Sequence, residues 1–213
     1  MYNIEAWGAA LQLTIEWVAT GAFALSGIVE AARKRMDVVG VCVVAFLAAF
    51  GGGTLRDILL DQRPFFWVQH ESVLWMVLVL SVGAVAFMRQ RHFPLTEKTI
   101  LWPDALGLGL FTASGVHQAL GAGMPLTVAV MMGVVTGIFG GVLRDLVCNE
   151  IPTSFKDHRP YALCAFAGGC GYVLLELAGA PPWSKMAVCF SVTVGLRALS
   201  LWRGWTLPEW RRE

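Results

Sequence analysis

Seven windows of about twenty mostly apolar residues follow one another along the chain, at roughly 8–32, 37–60, 71–88, 103–121, 125–148, 160–179 and 184–202. Each is long enough to cross a hydrocarbon core of about 30 Å as a helix rising about 1.5 Å per residue. Polar residues cluster between the windows in short connections, with no soluble domain or low-complexity linker among them. The pattern predicts an all-α polytopic membrane protein, a single transmembrane domain over 1–213 in which successive helices run antiparallel.

Composition agrees with a lipid solvent. Of 213 residues 56% are hydrophobic and 15% charged, with a mean hydropathy of +0.62. A soluble domain carries charge on about a quarter of its residues. The first apolar stretch lacks a basic leader and a small-residue cleavage site, so it is expected to be a retained helix and not a signal peptide. The net charge of +1 and the absence of a basic, aromatic-interleaved patch give no reason to expect nucleic acid as a partner. Five cysteines without a C-x-x-C and four dispersed histidines indicate neither a disulfide framework nor a metal site.

Charge then sets the orientation. If the N-terminus is outside, eleven of the 16 Lys and Arg fall on the inside, among them Arg33, Lys34, Arg35, Arg89, Arg91, Lys98, Lys156 and Arg159. Only Arg63 and Lys185 fall outside, and Arg56, Arg144 and Arg197 lie within the spans or at their ends. The positive-inside rule therefore predicts an outside N-terminus and a cytoplasmic C-terminus. An even number of spans would spoil this asymmetry. Trp67, Trp102, Trp183, Trp205 and Trp210 sit at span ends, where indoles favour the headgroup level, whereas Trp17 and Trp75 are expected to be packing residues.

An internal repeat organises the chain. Phe23-Ala24-Leu25-Ser26-Gly27 recurs 88 residues later as Phe111-Thr112-Ala113-Ser114-Gly115. Gly52-Gly53-Thr54-Leu55-Arg56-Asp57 recurs, again 88 residues on, as Gly140-Gly141-Val142-Leu143-Arg144-Asp145. The same register pairs Glu16 with Asp104, Pro64 with Pro152, His70 with His158 and Gly83 with Gly171. Three spans per repeat, an odd number, force the second copy to enter from the opposite side. The expected architecture is two inverted three-helix repeats, at about 10–90 and 100–180, plus a seventh helix at about 184–202.

The repeated motifs carry the candidate chemistry. Gly51, Gly52, Gly53, Gly140 and Gly141 would let spans two and five break, and freed carbonyls can replace the hydration shell of a monovalent cation. Close helix packing is the alternative use of such glycines. Arg56, Asp57, Arg144 and Asp145 are costly at membrane depth. Because neighbours in sequence do not face each other on a helix, each arginine is expected to pair across the repeat interface and not with its own aspartate. These pairs either bind the two halves together or shape the field at two pore mouths. Ser26 and Ser114 could offer hydroxyls to the same axis or bond back to helical carbonyls. Phe50 and Phe139, next to the glycines, could form a constriction or simply pack. Glu16 and Asp104 are pathway carboxylates or interfacial charges. No nucleophile–base set, Walker loop or dinucleotide motif occurs, so an enzyme is not expected.

The doubled F-x-x-S-G and G-G-x-x-R-D motifs resemble the TRIC (trimeric intracellular cation channel) family in its bacterial and archaeal branch, over residues from about 10 to 203. The resemblance implies a homotrimer in the bacterial inner (plasma) membrane, with one pore per protomer permeable to monovalent cations, K+ and Na+. It places Gly51, Gly52, Gly53, Gly140 and Gly141 on pore-lining helices two and five. Animal members carry a lysine beside the glycine motif and engage inositol lipids. Phe50 and Phe139 precede the glycines here, so the resemblance does not carry that regulation over, although membrane lipids could fill the trimer interface. No cofactor is implied. A secondary transporter for a small solute such as glycine is the second reading, since inverted repeats suit alternating access too.

Overall fold

The computed structural model describes residues 4–90, 97–156, 160–206 and 208. His158, Arg91, Arg159, Trp210, Arg211 and Arg212 lie outside the described residues, as do the side chains of Arg89, Lys98 and Lys156.

The described chain is helical throughout its ordered elements. The long helices are α1 (Ile4–Arg33), α2 (Val38–Leu59), α4 (Glu71–Gln90), α5 (Glu97–Gly121), α6 (Leu126–Val147), α8 (Ala162–Leu177) and α9 (Pro182–Arg203). Two single-turn helices, α3 (Phe66–Gln69) and α7 (Thr153–Lys156), lie in the connections that follow α2 and α6. Each long helix corresponds to one apolar window. The fourth differs most at its start: α5 begins at Glu97, ahead of the expected 103, and carries Pro103 inside it. Among the described residues four helices are long and apolar enough to cross a membrane: Ala10–Arg33, Val38–Leu59, Leu126–Val147 and Pro182–Arg203.

Local signals explain the ends. Asp37, with extended backbone, accepts from Gly40 N at 2.8 Å and so caps the start of α2. Gly204, at φ 62°, takes the left-handed conformation that closes α9. Pro182 opens α9 where its missing N–H costs nothing.

Around the bundle, α1 packs on α2 and α5, α5 packs on α6, and α2 crosses α6 at the centre, with α9 lying against α5 and α8. The interior is small-residue rich: Ala19, Ala24, Ala45, Ala48, Ala105 and Ala165 are wholly buried. Large apolar side chains such as Val39, Val79 and Leu174 face outward instead, the inversion a lipid solvent permits. Trp102, Trp183 and Trp205 are exposed. Trp75 differs from its expected packing role. It is exposed and donates from Nε1 to Glu71 at 2.9 Å, because its face of α4 points away from the bundle. Trp67 in turn is packed inward against Phe46 and donates to Thr54.

The repeat register is visible in the contacts. A Cβ on Gly52 would lie 2.1 Å from the Thr136 carbonyl oxygen, and one on Gly140 would lie 2.3 Å from that of Ala48. Thr136 and Ala48 are themselves 88 residues apart, so α2 and α6 cross reciprocally. Gly27 packs on Ala45 and Ala48, and Gly115 packs on Gly133 and Thr136, the same contacts 88 residues on. Lys34, after α1, pairs with Glu150, after α6. Those two connections therefore lie at one end of the bundle, as the expected topology requires.

Candidate functional site

Both glycine segments remain helical, which corrects the expectation of broken helices. α2 runs without interruption through Gly51–Gly53 and α6 through Gly140–Gly141, so no backbone carbonyl is released there. The physical reason is the crossing itself. Gly52 and Gly140 are the points where two backbones touch, and a helix needs its own hydrogen bonds intact to offer such a flat face. The second glycine of each pair has different surroundings. A Cβ on Gly53 would lie 3.6 Å from Arg56 Nη2, and one on Gly141 would lie 3.8 Å from Arg144 Nη2. At these positions an added methyl would make only ordinary van der Waals contact with the guanidinium one turn later.

Each arginine is the centre of a buried ionic cluster. Arg56 donates from Nε and Nη2 to Asp57 Oδ1 at 2.9 and 2.8 Å, and from Nη1 to Glu16 Oε1 at 2.6 Å. Arg144 repeats this with Asp145 Oδ1 at 2.7 Å and Asp104 Oδ1 at 2.7 Å. The expectation that neither arginine meets its own aspartate is thus corrected. A guanidinium is long enough to curl back along its helix, and its fork serves two carboxylates at once. The carboxylate partners from α1 and α5 lie within the same repeat. What crosses the repeat interface is the serine: Arg56 Nη1 donates to Ser114 Oγ at 3.2 Å, and Arg144 Nη1 to Ser26 Oγ at 2.9 Å. Ser26 also donates back to the Phe23 carbonyl, the helical back-bond that was one of its two expected uses. Asp57 and Asp145 use their second oxygens on the loops, accepting from Phe66 N at 3.1 Å and Thr153 N at 2.8 Å.

Phe23 and Phe111, the first residues of the two F-x-x-S-G motifs, stack at 5.5 Å between the clusters. Sequence reasoning did not single them out, although their 88-residue spacing was the available signal. Phe50 is buried and packs on Phe46 and Trp67, while Phe139 is half-buried; in the repeat register Phe50 matches Ile138, so the two phenylalanines are not equivalent.

The two clusters differ in their surroundings. At the Arg56 end a cavity of about 450 Å³ reaches Glu16 and Asp57, lined also by Gln12, His70, His117 and Gln118. A small cavity beneath it is bounded by Glu16, Thr20, Phe50, Gly53 and Phe111. At the Arg144 end the Tyr161 hydroxyl donates to Asp104 Oδ2 at 2.7 Å, and the Arg197 guanidinium lies 4.7 Å over the Tyr161 ring. Neither Tyr161 nor Arg197 has a counterpart in repeat one: position 73 is valine, and α9 stands outside the repeat.

Comparison with known proteins gives the family. A family profile described as "Glycine transporter" matches residues 13–90 and again 101–176. The UPF0126 inner membrane protein YadS of Escherichia coli K12 is 39% identical over 156 residues, 73% of this chain and 74% of YadS. A UPF0126 membrane protein of Deinococcus radiodurans is 36% identical over 193 residues, 90% of this chain and 87% of that one. Among solved structures, the TRIC trimeric intracellular cation channel orthologue from Rhodobacter sphaeroides superposes with a TM-score of 0.85 at 33% identity, covering 92% of this chain and 99% of that one. A second structure, described for conductance through TRIC cation channels, gives 0.83 at 31% identity over 94% and 97%. The protein is an integral inner-membrane protein, like the relatives so named. With the profile matched in both repeats and these structures matched over nearly the whole chain, the protein belongs to the prokaryotic branch of the TRIC family.

Proposed function

We propose that the chain is a cation channel, permeable to K+ and Na+, that works as a homotrimer with one pathway inside each protomer. The observation that carries this reading is the cavity that descends among α1, α2 and α5 to a buried carboxylate–guanidinium cluster. Buried charge at membrane depth is costly and marks ion pathways. The two solved relatives named for cation channels supply the ion class.

In this reading the cavity is the outer vestibule, given an outside N-terminus. The pathway continues past Thr20, Phe50 and Gly53, meets the Phe23–Phe111 stack, and emerges beside Ser26 and Arg144. The stacked rings are the constriction, since an apolar neck excludes water and with it the ion. Tyr161 and Arg197 cover the far cluster, so the conformation described is a closed one. Arg56, Asp57, Arg144 and Asp145 hold the walls together, and their second role is to set the field at each mouth.

Planar-bilayer recording of the purified protein tests this. Unitary K+ currents with no added solute are expected. Saturable solute flux without unitary steps would replace the channel with a transporter. One observation favours that second reading: the vestibule presents both a carboxylate, Glu16, and a guanidinium, Arg56, and opens from one end, as a carrier for a zwitterion such as glycine would. Glycine uptake into proteoliposomes decides between them.

A further inference from the structure

Helix α1 carries Gln12, Glu16 and Thr20 at four-residue intervals, and each has one side-chain oxygen that accepts no hydrogen bond among the described residues. Gln12 Oε1 and Thr20 Oγ1 are buried with no partner, and Thr20 is 1% exposed. Arg56, Ser114 and Gln118 all donate to Glu16 Oε1, and no hydrogen bond to Oε2 occurs among the described residues. Residues four apart stack on one helix face, so the three oxygens form a ladder about 12 Å long. Gln12 and Glu16 line the vestibule, and Glu16 and Thr20 line the small cavity below it.

The charge at this place does not balance. Glu16 and Asp57 share a single guanidinium, that of Arg56, and no other Lys or Arg lines either cavity. A buried carboxylate left without a counter-charge is unfavourable unless a cation joins it or it takes up a proton, and the salt dependence tested below separates the two. Repeat two has solved the same problem within the chain. Its ladder reads Ile100, Asp104, Leu108, with apolar residues above and below the carboxylate. There the second Asp104 oxygen takes the Tyr161 hydroxyl, and Arg197 stands behind that ring as the additional positive charge. The oxygens are missing where the counter-charge is internal, and present where it is not.

We propose that Gln12, Glu16 and Thr20 form a ladder that takes one partly dehydrated monovalent cation first at Gln12 and Glu16 and then between Glu16 and Thr20, present in repeat one alone. This deepens the channel reading and rests on it for the ion's route, although the site itself would stand without conduction. Hard oxygen ligands of carbonyl, carboxylate and hydroxyl type suit an alkali cation. One uncompensated carboxylate is too little charge for the anionic cage that Ca²⁺ favours. The ladder would draw a cation out of the vestibule and hold it above the Phe23–Phe111 constriction.

The test is thermal unfolding of the full-length protein in detergent, in KCl, NaCl and N-methyl-D-glucamine chloride at equal ionic strength. Wild type should unfold at a higher temperature in the alkali salts, and Thr20→Val should lose that shift while Thr20→Ser keeps it. The valine is isosteric and removes an unpartnered hydroxyl, so the fold should tolerate it. No alkali-dependent shift in wild type, or an undiminished shift in Thr20→Val, would overturn the proposal. Should Thr20→Val fail to fold, wild-type crystals soaked in RbCl replace it: an anomalous peak between Glu16 and Thr20 supports the site, and its absence overturns it. Conduction is recorded in parallel. Loss of the shift in Thr20→Val without K+ currents in wild type would sink the channel and keep the site, and the reverse would sink the site alone. Where both hold, Thr20→Val should raise the half-saturating K+ concentration about tenfold, the effect of losing one ligand to a charged group.

Discussion

Arg144 reaches across 118 positions of chain to donate from Nη1 to Ser26 Oγ at 2.9 Å, joining repeat two to repeat one. Arg56 makes the mirror contact to Ser114. The G-G-x-x-R-D motif of each repeat is thereby completed by the F-x-x-S-G motif of the other, which accounts for the two motifs being doubled together.

Removing either arginine should therefore cost more than a surface ion pair does. Arg144→Gln leaves Asp104 and Asp145 buried without a cation, and about 3–5 kcal/mol of stability should be lost. Arg144→Lys should recover only part of this, because an ammonium cannot span both carboxylates and Ser26 with a planar fork. Unfolding midpoints of the purified variants in detergent check both statements, and a midpoint for Arg144→Gln equal to wild type would contradict the first.

The paired glycines should separate sharply under substitution. Gly52→Ala places a methyl 2.1 Å from the Thr136 carbonyl oxygen, so α2 and α6 must move apart and the protein should be destabilised by about 1–3 kcal/mol. Gly53→Ala meets nothing nearer than 3.6 Å and should be neutral or stabilising by up to about 1 kcal/mol, the helix-propensity gain. The same contrast is expected for Gly140→Ala against Gly141→Ala. Equal effects within a pair would show that the crossing is not where close contact is needed.

Shrinking the central aromatic stack should open the pathway. Phe111→Ala removes one face of the 5.5 Å stack, widens the neck and lets water enter, and K+ efflux from proteoliposomes should rise severalfold. It also leaves a cavity worth about 3–5 kcal/mol, so Phe111→Leu is the gentler variant, with a smaller rise in flux. Unchanged efflux from both variants, once folded insertion is verified, would move the constriction elsewhere.

The Lys34–Glu150 pair offers a check on topology and on pH. Its hydrogen bond to Glu150 holds the Lys34 ammonium above the ordinary lysine value of 10.5. A raised value means that the pair's contribution is complete below the ordinary pKa and fades as pH rises through the raised one. Stability near neutral pH should accordingly be flat with respect to this pair, and the pair is solvent-screened, so Lys34→Ala should change the unfolding midpoint little. Cysteines replacing Lys34 and Glu150 should be bridged within one chain by a short bismaleimide, which spans the length of the two lost side chains where a disulfide would not. Failure to cross-link would separate the two connections that the fold brings to one end.

The linear pattern alone determined the helical membrane architecture. Each apolar window meets a long helix among the described residues, four of them long and apolar enough to cross a membrane, because burying backbone polar groups in lipid leaves few alternatives to a helix. The 88-residue register was equally legible, since Glu16 and Asp104 turned out to occupy matching places in the two ionic clusters. Which glycine does what could not be read in one dimension. Gly52 meets Thr136 only because α2 and α6 cross there, while Gly53 faces Arg56 of its own helix, and an adjacent pair of glycines is silent about which of the two lies at the crossing. For the same reason the arginines' partners escaped a rule based on helix faces, as a flexible guanidinium can reach its neighbour and a distant helix together. The inequivalence of the two ends was decided entirely by tertiary structure. Tyr161, at the start of α8, lies 57 positions from Asp104, and only packing brings it onto that carboxylate with Arg197 of α9 over its ring, while leaving Glu16 open to a cavity.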